Sequence, residues 1–425
     1  MELSRRRFIQ VSALTAMAAG FSAACGSSGA GGAQGKDLTL WYWGGGLSDK
    51  VVGDAKTQFA KDITLTASSI GGDFKQKLVT TLAAGGSSVP DITGIKGEDM
   101  ASFLPSASKF LDLNELGFKD VSSQYLAWKV KRAQTTDGKQ LGFPIDIGPT
   151  GMYYRTDLFE QAGLPTDPKQ VAAQVKTWDD FFAMGKQLHQ AVPRSFPMRN
   201  LPELFSIVVN QGTKRFIDEN NHFIGDQEHI RTAWNTAVKG ATAGLNGKVD
   251  DNSWNAAIST GTLGVELGAA WHALDIEQAA PDLKGKWRVA PMPGGPANDG
   301  GSFLALPRQC RNPEQAFKVV SWILSPANDA RSFTDAAIFP AAPAAYKLPA
   351  LTAGDPYFGG QSTIDVFGPA AEAIPISYEA PADAAVMAPY RTELGNIEAS
   401  GKSPEAAWND AVSQAKQIAQ RQGVT

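Results

Sequence analysis

The chain has 425 residues, 43 acidic and 39 basic side chains, a formal net charge of −4 and two cysteines. Interspersed charge of this balance argues against a nucleic-acid partner, which needs a concentrated basic face, and two cysteines exclude a disulfide-built scaffold. The stretch beyond residue 35 exceeds what one hydrophobic core holds, so two domains are expected.

Ser4-Arg5-Arg6-Arg7-Phe8-Ile9-Gln10 gives a basic start, and Val11 to Ala24 follows as an uncharged, largely apolar run too short to span a bilayer. Residues 1–24 therefore read as a signal peptide. The arginine pair followed at one remove by Phe-Ile resembles the twin-arginine export signal, with general secretion as the alternative. Ser22-Ala23-Ala24-Cys25-Gly26 resembles a lipoprotein processing site, at which Cys25 is acylated and becomes the new N-terminus. Ser22 departs from that pattern, which places a larger aliphatic residue three positions before the cysteine. Residues 25–35 are almost all Gly, Ser and Ala after Cys25, the composition of a flexible tether. With Cys25 lipidated, Cys310 has no intramolecular disulfide partner.

Leu38-Thr-Leu-Trp-Tyr-Trp43 predicts a strand stopped by Gly44-Gly45-Gly46, followed by a helix through Val51 to Ala60. Ile63 to Ile70 is a second β-rich run, after which Phe74, Leu78, Val79 and Leu82 recur at helical spacing. Pro90-Asp91-Ile92-Thr93 predicts a third strand, with Glu98-Asp99-Met100 opening the next element. This β-α-β-α opening implies a mostly parallel sheet flanked by helices, with ligands outside the carboxyl ends of its strands. Gly142-Phe-Pro-Ile-Asp146 and Met152-Tyr-Tyr154 flank a Gly-Pro-rich bend suited to a chain crossing between lobes. Thr177-Trp-Asp-Asp180 supplies an N-cap and acidic first turn for a helix to about Gln190. Pro313 to Leu324 and Pro404 to Gln420 are the clearest amphipathic helices.

Gln76 to Gly85 followed by Pro90-Asp91-Ile92, then Asp137-Gly-Lys-Gln-Leu-Gly-Phe-Pro144, Tyr153-Tyr-Arg-Thr-Asp-Leu-Phe-Glu-Gln-Ala-Gly-Leu-Pro165 and Thr177-Trp-Asp-Asp-Phe181, resemble family 1 of the extracellular solute-binding proteins, which includes the maltodextrin-binding proteins. Gly268-Ala-Ala-Trp271, Trp287 to Gly295, Gly300-Gly-Ser-Phe-Leu-Ala-Leu306, Pro313-Glu-Gln-Ala-Phe317, Phe339-Pro340-Ala341 and Ser403-Pro404-Glu405-Ala406 continue the match. The resemblance implies a two-lobed α/β, periplasmic-binding-protein-like fold with inter-lobe crossing segments and a ligand cleft. It places residues 36–145 plus 294–330 in lobe 1 and residues 146–293 plus 331–425 in lobe 2. It further implies the sugar-binding lipoprotein of an ABC importer: a monomer serving separate permease and ATPase subunits, anchored to the membrane by lipid, with no cofactor and no bond chemistry.

A sugar offers hydroxyls round its edge and C–H patches on its faces, so its site needs aromatic platforms and fixed donors and acceptors. Ten tryptophans favour that ligand class. Trp271 matches the family position whose indole stacks on a sugar ring. Trp41 and Trp43 share a strand face, and Trp43, beside the glycines, is the candidate platform. Glu98 sits in the strand-to-helix loop where the family places a hydroxyl-binding carboxylate, while Asp99 either joins it or caps the helix. Asp146, just after the first crossing segment, either faces the cleft or forms a turn. Asn200, Glu203, Gly301 and Ser302 are further polar candidates; His272 is a candidate hydrogen-bonding group beside Trp271, and Tyr378 and Tyr390 are candidate second platforms.

An exported polysaccharide hydrolase working through a carboxylate pair is the alternative from another class, and a polyol or glycerol phosphodiester is the alternative solute. The sequence contains no Gly-x-Ser-x-Gly, Gly-x-x-x-x-Gly-Lys-Ser/Thr or His-Glu-x-x-His motif. His189, His222, His229 and His272 are scattered, without metal-ligand spacing.

Overall fold

The computed structural model describes residues 36–425. The signal peptide, Cys25 and the tether lie outside the described residues. Strand β1 (Asp37–Tyr42) alternates buried leucines with partly exposed residues and pairs in parallel with β2 (Thr64–Ser69) and β3 (Ile92–Lys96). The helices Asp49–Gln58 and Phe74–Ala84 connect them, the first capped by Ser48 and the second by Asp73, each side chain accepting a first-turn N–H. Phe74, Leu78 and Leu82 are buried, whereas Val79, on the same expected stripe, is exposed.

With β4 (Phe143–Pro144) the chain reaches the far edge of this sheet, then crosses through residues 145–149 into a second sheet. There β5 (Thr150–Arg155) lies between β6 (Val265–Ala269) and β7 (Trp287–Pro291), antiparallel to both. Residues 292–301 cross back, and β8 (Ser302–Ala305) inserts antiparallel between β3 and β4, giving the order β2-β1-β3-β8-β4. The expectation of a mostly parallel sheet is thus corrected in two places. The returning β8 enters the first sheet head-to-tail, and the second sheet is antiparallel throughout.

The helix Trp178–Ala191 opens on a full capping box, with Thr177 and Asp180 exchanging side-chain and backbone hydrogen bonds. Pro313–Ile323 and Pro326–Ala336 pack beside Asp49–Gln58 on the five-stranded sheet, and the expected boundary at residue 330 falls inside the second of them. Asp383–Ser400 and Pro404–Arg421 pack together, the former against Leu201–Asn210 on the three-stranded side. The crossings run side by side: Ile147 N–H donates to Phe339 O at 3.0 Å, and Asp299 N–H to Gly148 O at 2.8 Å. A Cβ on Gly148 would fall 1.7 Å from Asp299 O, so only glycine allows this approach. No helix among the described residues is long and apolar enough to cross a membrane.

Candidate ligand-binding cleft

Where β6 ends, Trp271 takes the N-cap position of the helix His272–Ala279 and stands partly exposed. Its Nε1 points at Asp299 O, 3.3 Å away on the second crossing. Beneath it, the His272 ring packs edge-on at 4.1 Å between centroids. His272 occupies the space a side chain at Gly268 would need, since a Cβ there would fall 2.0 Å from its Nδ1. That Nδ1 lies 3.2 Å from Oε1 of the buried Glu266. Burial pushes the His272 imidazole down, but Glu266, Asp299 and Asp275 together lift it above its ordinary value.

Trp271, His272, Glu266, Asn200, Glu203 and Asp299 line one recess of about 210 Å³. Sequence reasoning anticipated four of these residues. Asn200 caps the helix Leu201–Asn210: its Oδ1 accepts Glu203 N–H at 2.9 Å and its Nδ2 donates to Val249 O at 2.8 Å. Glu203 Oε1 accepts from Arg391 Nη2 at 2.6 Å. The loop and helix polar groups are therefore fixed before any solute arrives, as selective recognition requires.

Asp299 is shared with a second recess of about 290 Å³ between the two sheets, walled by Glu98, Arg132, Arg215, Glu379, Asp383 and Arg391 among others. Of these only Glu98 was singled out from sequence. Crowding by the surrounding protein desolvates the Asp299 carboxyl and raises it above the ordinary carboxylate value, with His272 opposing, although the residue keeps exposed surface. Burial also pulls Glu379 up, but Arg132 and Arg215 more than reverse it. Asp383 accepts backbone N–H groups from Phe216 and Ala380, and burial pushes its carboxyl up to about 7. Compared with ~3.9 in an unfolded chain, Asp383 binds its proton more tightly when folded. Its contribution to stability is complete below about pH 4 and declines as pH rises to about 7. Denaturant unfolding across that range should therefore give a downward slope that flattens in Asp383→Asn; an unchanged slope would contradict it.

Several expected site residues lie elsewhere. Tyr390 is fully buried in an aromatic core and donates its hydroxyl to Gly225 O at 2.9 Å, so it is no platform in the cleft. Tyr378 packs partly buried against the same core and lines neither recess. Trp43 lies edge-on to Phe74 at 5.2 Å with Lys96 Nζ 5.6 Å from its ring, packs partly buried against the cluster of Phe74, Ile95 and Phe103, and lines neither recess. Asp99 pairs with Lys75 at 2.8 Å in the first turn of the helix Gly97–Phe103. Asp146 accepts the Ser302 backbone N–H at 2.6 Å, tying the first crossing to β8, and burial raises its carboxyl while Lys129 opposes. Ser302 is buried at the start of β8, and Gly301, at φ +77°, turns the chain into it; Gly300 is the member of this trio that lines a recess.

Two α/β lobes joined by adjacent crossings that run in opposite directions, with a polar recess between their sheets and an indole at its side, define a two-lobed protein of the periplasmic-binding type. Residues 44–330 match the family described as bacterial extracellular solute-binding protein, and the chain belongs to that family. A solved structure described as an extracellular solute-binding protein of family 1 is similar, with a TM-score of 0.84 at 27% identity, covering 90% of this chain and 99% of that one. The galacto-N-biose-/lacto-N-biose I-binding protein of an ABC transporter from Bifidobacterium longum, solved with lacto-N-biose, shares the fold at a TM-score of 0.77 and 19% identity, over 92% of this chain and 99% of that one. The lactose-binding protein of Rhizobium radiobacter is 26% identical over 60% of this chain, and the matched stretch spans 61% of that relative's length.

Proposed function

We propose that this chain is the substrate-binding lipoprotein of an ABC importer, capturing a sugar of two or more units between its lobes and delivering it to membrane permease subunits driven by a separate ATPase. The observation that carries the reading is Trp271, an indole left partly exposed beside Asn200, Glu203, His272 and Asp299. An apolar face to stack on, ringed by fixed donors and acceptors, suits a pyranose and suits few other solutes. One relative is named for lactose and a structural neighbour was solved with lacto-N-biose, which supports a disaccharide or longer sugar. Two adjoining recesses, one carrying the indole and one ionic, give room for more than one ring.

Capture follows as a shift in population. A solute that touches both lobes binds the closed arrangement better than the open one, and the shift it produces equals that difference in affinity. Titration of the mature protein against a sugar panel, followed by tryptophan fluorescence and calorimetry, should give saturable binding to an oligosaccharide; silence across the panel would refute the reading. Hydrolysis of the bound sugar in the same samples would instead favour a polysaccharide-acting enzyme.

Anchoring is read from Cys25, whose acylated N-terminus would hold the protein beside its permease. Cys25→Ser should move the protein from the membrane fraction to the soluble exported fraction. Retention in the membrane would remove the lipoprotein part of the proposal and leave sugar binding standing.

A further inference from the structure

Glu379 sits in the irregular stretch between the helices Ile364–Ala373 and Asp383–Ser400, and its neighbours Tyr378, Ala380 and Ala382 pack into the core of the three-stranded lobe. Arg132 ends the helix Ala127–Arg132, which packs on β4 of the five-stranded lobe. Arg132 Nη2 donates to Glu379 Oε2 and lies 3.4 Å from Gly97 O, just past β3. The two side chains are only 14% and 17% exposed. With the whole helix Pro326–Ala336 counted in the five-stranded lobe, on which it packs, this is the one ion pair among the described residues that joins the two lobes; the others close within a lobe.

Further charged groups surround the pair. Arg215 adds a second guanidinium near Glu379 from the same lobe, and its buried Nε has no hydrogen-bond partner among the described residues. Lys129, three residues before Arg132, is fully buried 3.6 Å from the Phe303 ring centroid, and its Nζ likewise has no partner. Glu98 and Asp146 are the other carboxylates whose charge reaches Lys129. Glu379 is thus the carboxylate that one lobe inserts among cations supplied by both. Separating the lobes returns Arg132 and Glu379 to water, where salt screens them.

We infer that Arg132 and Glu379 form an inter-lobe latch that holds the cleft closed and sets its affinity. This rests on the binding-protein reading above, and it gives two residues in the wall of the ionic recess a role separate from any contact with the solute, that of fixing how much of the protein is in the closed form. Apparent affinity scales with that competent fraction.

The test combines Arg132→Gln, Glu379→Gln and the double variant with small-angle scattering and sugar titration. Without sugar, the radius of gyration of the unsubstituted protein should grow when salt is raised to 1 M, and the variants should be expanded already and insensitive to salt. With sugar, each single variant should bind about tenfold more weakly, and the double variant no more weakly than the worse single one, because one interaction is lost in all three. Identical, salt-independent radii in all proteins would overturn the latch, as would additive losses of affinity, which would make each residue a separate sugar contact. The scattering arm needs no ligand, so it fails or succeeds independently of whether the solute is a sugar, and the unsubstituted protein in high salt covers the case of a variant that does not fold.

Discussion

Trp271→Ala is expected to weaken sugar binding about five- to thirtyfold, or ~1–2 kcal/mol, while moving the thermal midpoint by less than about 2 °C. The indole is partly exposed, its ring neighbour is His272, and its Nε1 hydrogen bond to Asp299 O is long at 3.3 Å. Truncation therefore opens no sealed cavity and leaves no buried group without water. The loss falls on the complex, where a flat face covering a sugar ring is replaced by a methyl group too small to cover it. Calorimetry on folded variant protein checks the first half and a melting curve the second. Unchanged affinity would remove Trp271 from the site, and a collapse in stability would make it a core residue. Glu203 offers a contrast, since its carboxylate is already paired with Arg391, so substituting it also disturbs the wall of the recess.

What the sequence made legible was local. Thr177 announces a helix because a capping side chain acts on backbone three residues away; Ser48, Asp73 and Asn312 cap helices in the same way, a local signal that the sequence reading passed over. The leucines of β1 and the Gly-Pro bend before β5 are read the same way, from alternation and from residues that permit crossing. The antiparallel insertion of β8 was not legible, because nothing within Ser302–Ala305 says which strands it will lie between. The cleft divided along the same line. Trp271 and His272 lie in or beside a family motif, Asn200 and Glu203 were polar candidates in one short stretch, and the four meet in one recess, whereas Arg132 and Glu379 are 247 residues apart and belong to no motif. Asp146 looked like a cleft carboxylate, but it lines neither recess, and a backbone N–H at 2.6 Å occupies its Oδ1, a detail set by the return of β8.

Aromatic residues divide by burial, which composition does not reveal, and Tyr390 gives the largest expected loss of stability. Its ring is fully buried, stacked on Phe205 at 5.8 Å and 17°, with Phe216 at 5.1 Å and Trp408 at 5.7 Å. Tyr390→Ala should cost about 3–5 kcal/mol in denaturant unfolding, from lost transfer energy, the cavity among three aromatic rings, and a Gly225 carbonyl left without its donor. Tyr390→Phe keeps the ring and removes only the donor, so it should cost about 1–2 kcal/mol. Both folded variants should retain most of their affinity for sugar, since the hydroxyl ends on Gly225 O and not in the cleft. Sugar binding abolished in Tyr390→Phe at unchanged stability would put that hydroxyl back in the site. A small cost for Tyr390→Ala would mean that Pro404–Arg421, which brings Trp408, repacks freely against Asp383–Ser400, and the close ring-to-ring distances around Tyr390 leave little room for that.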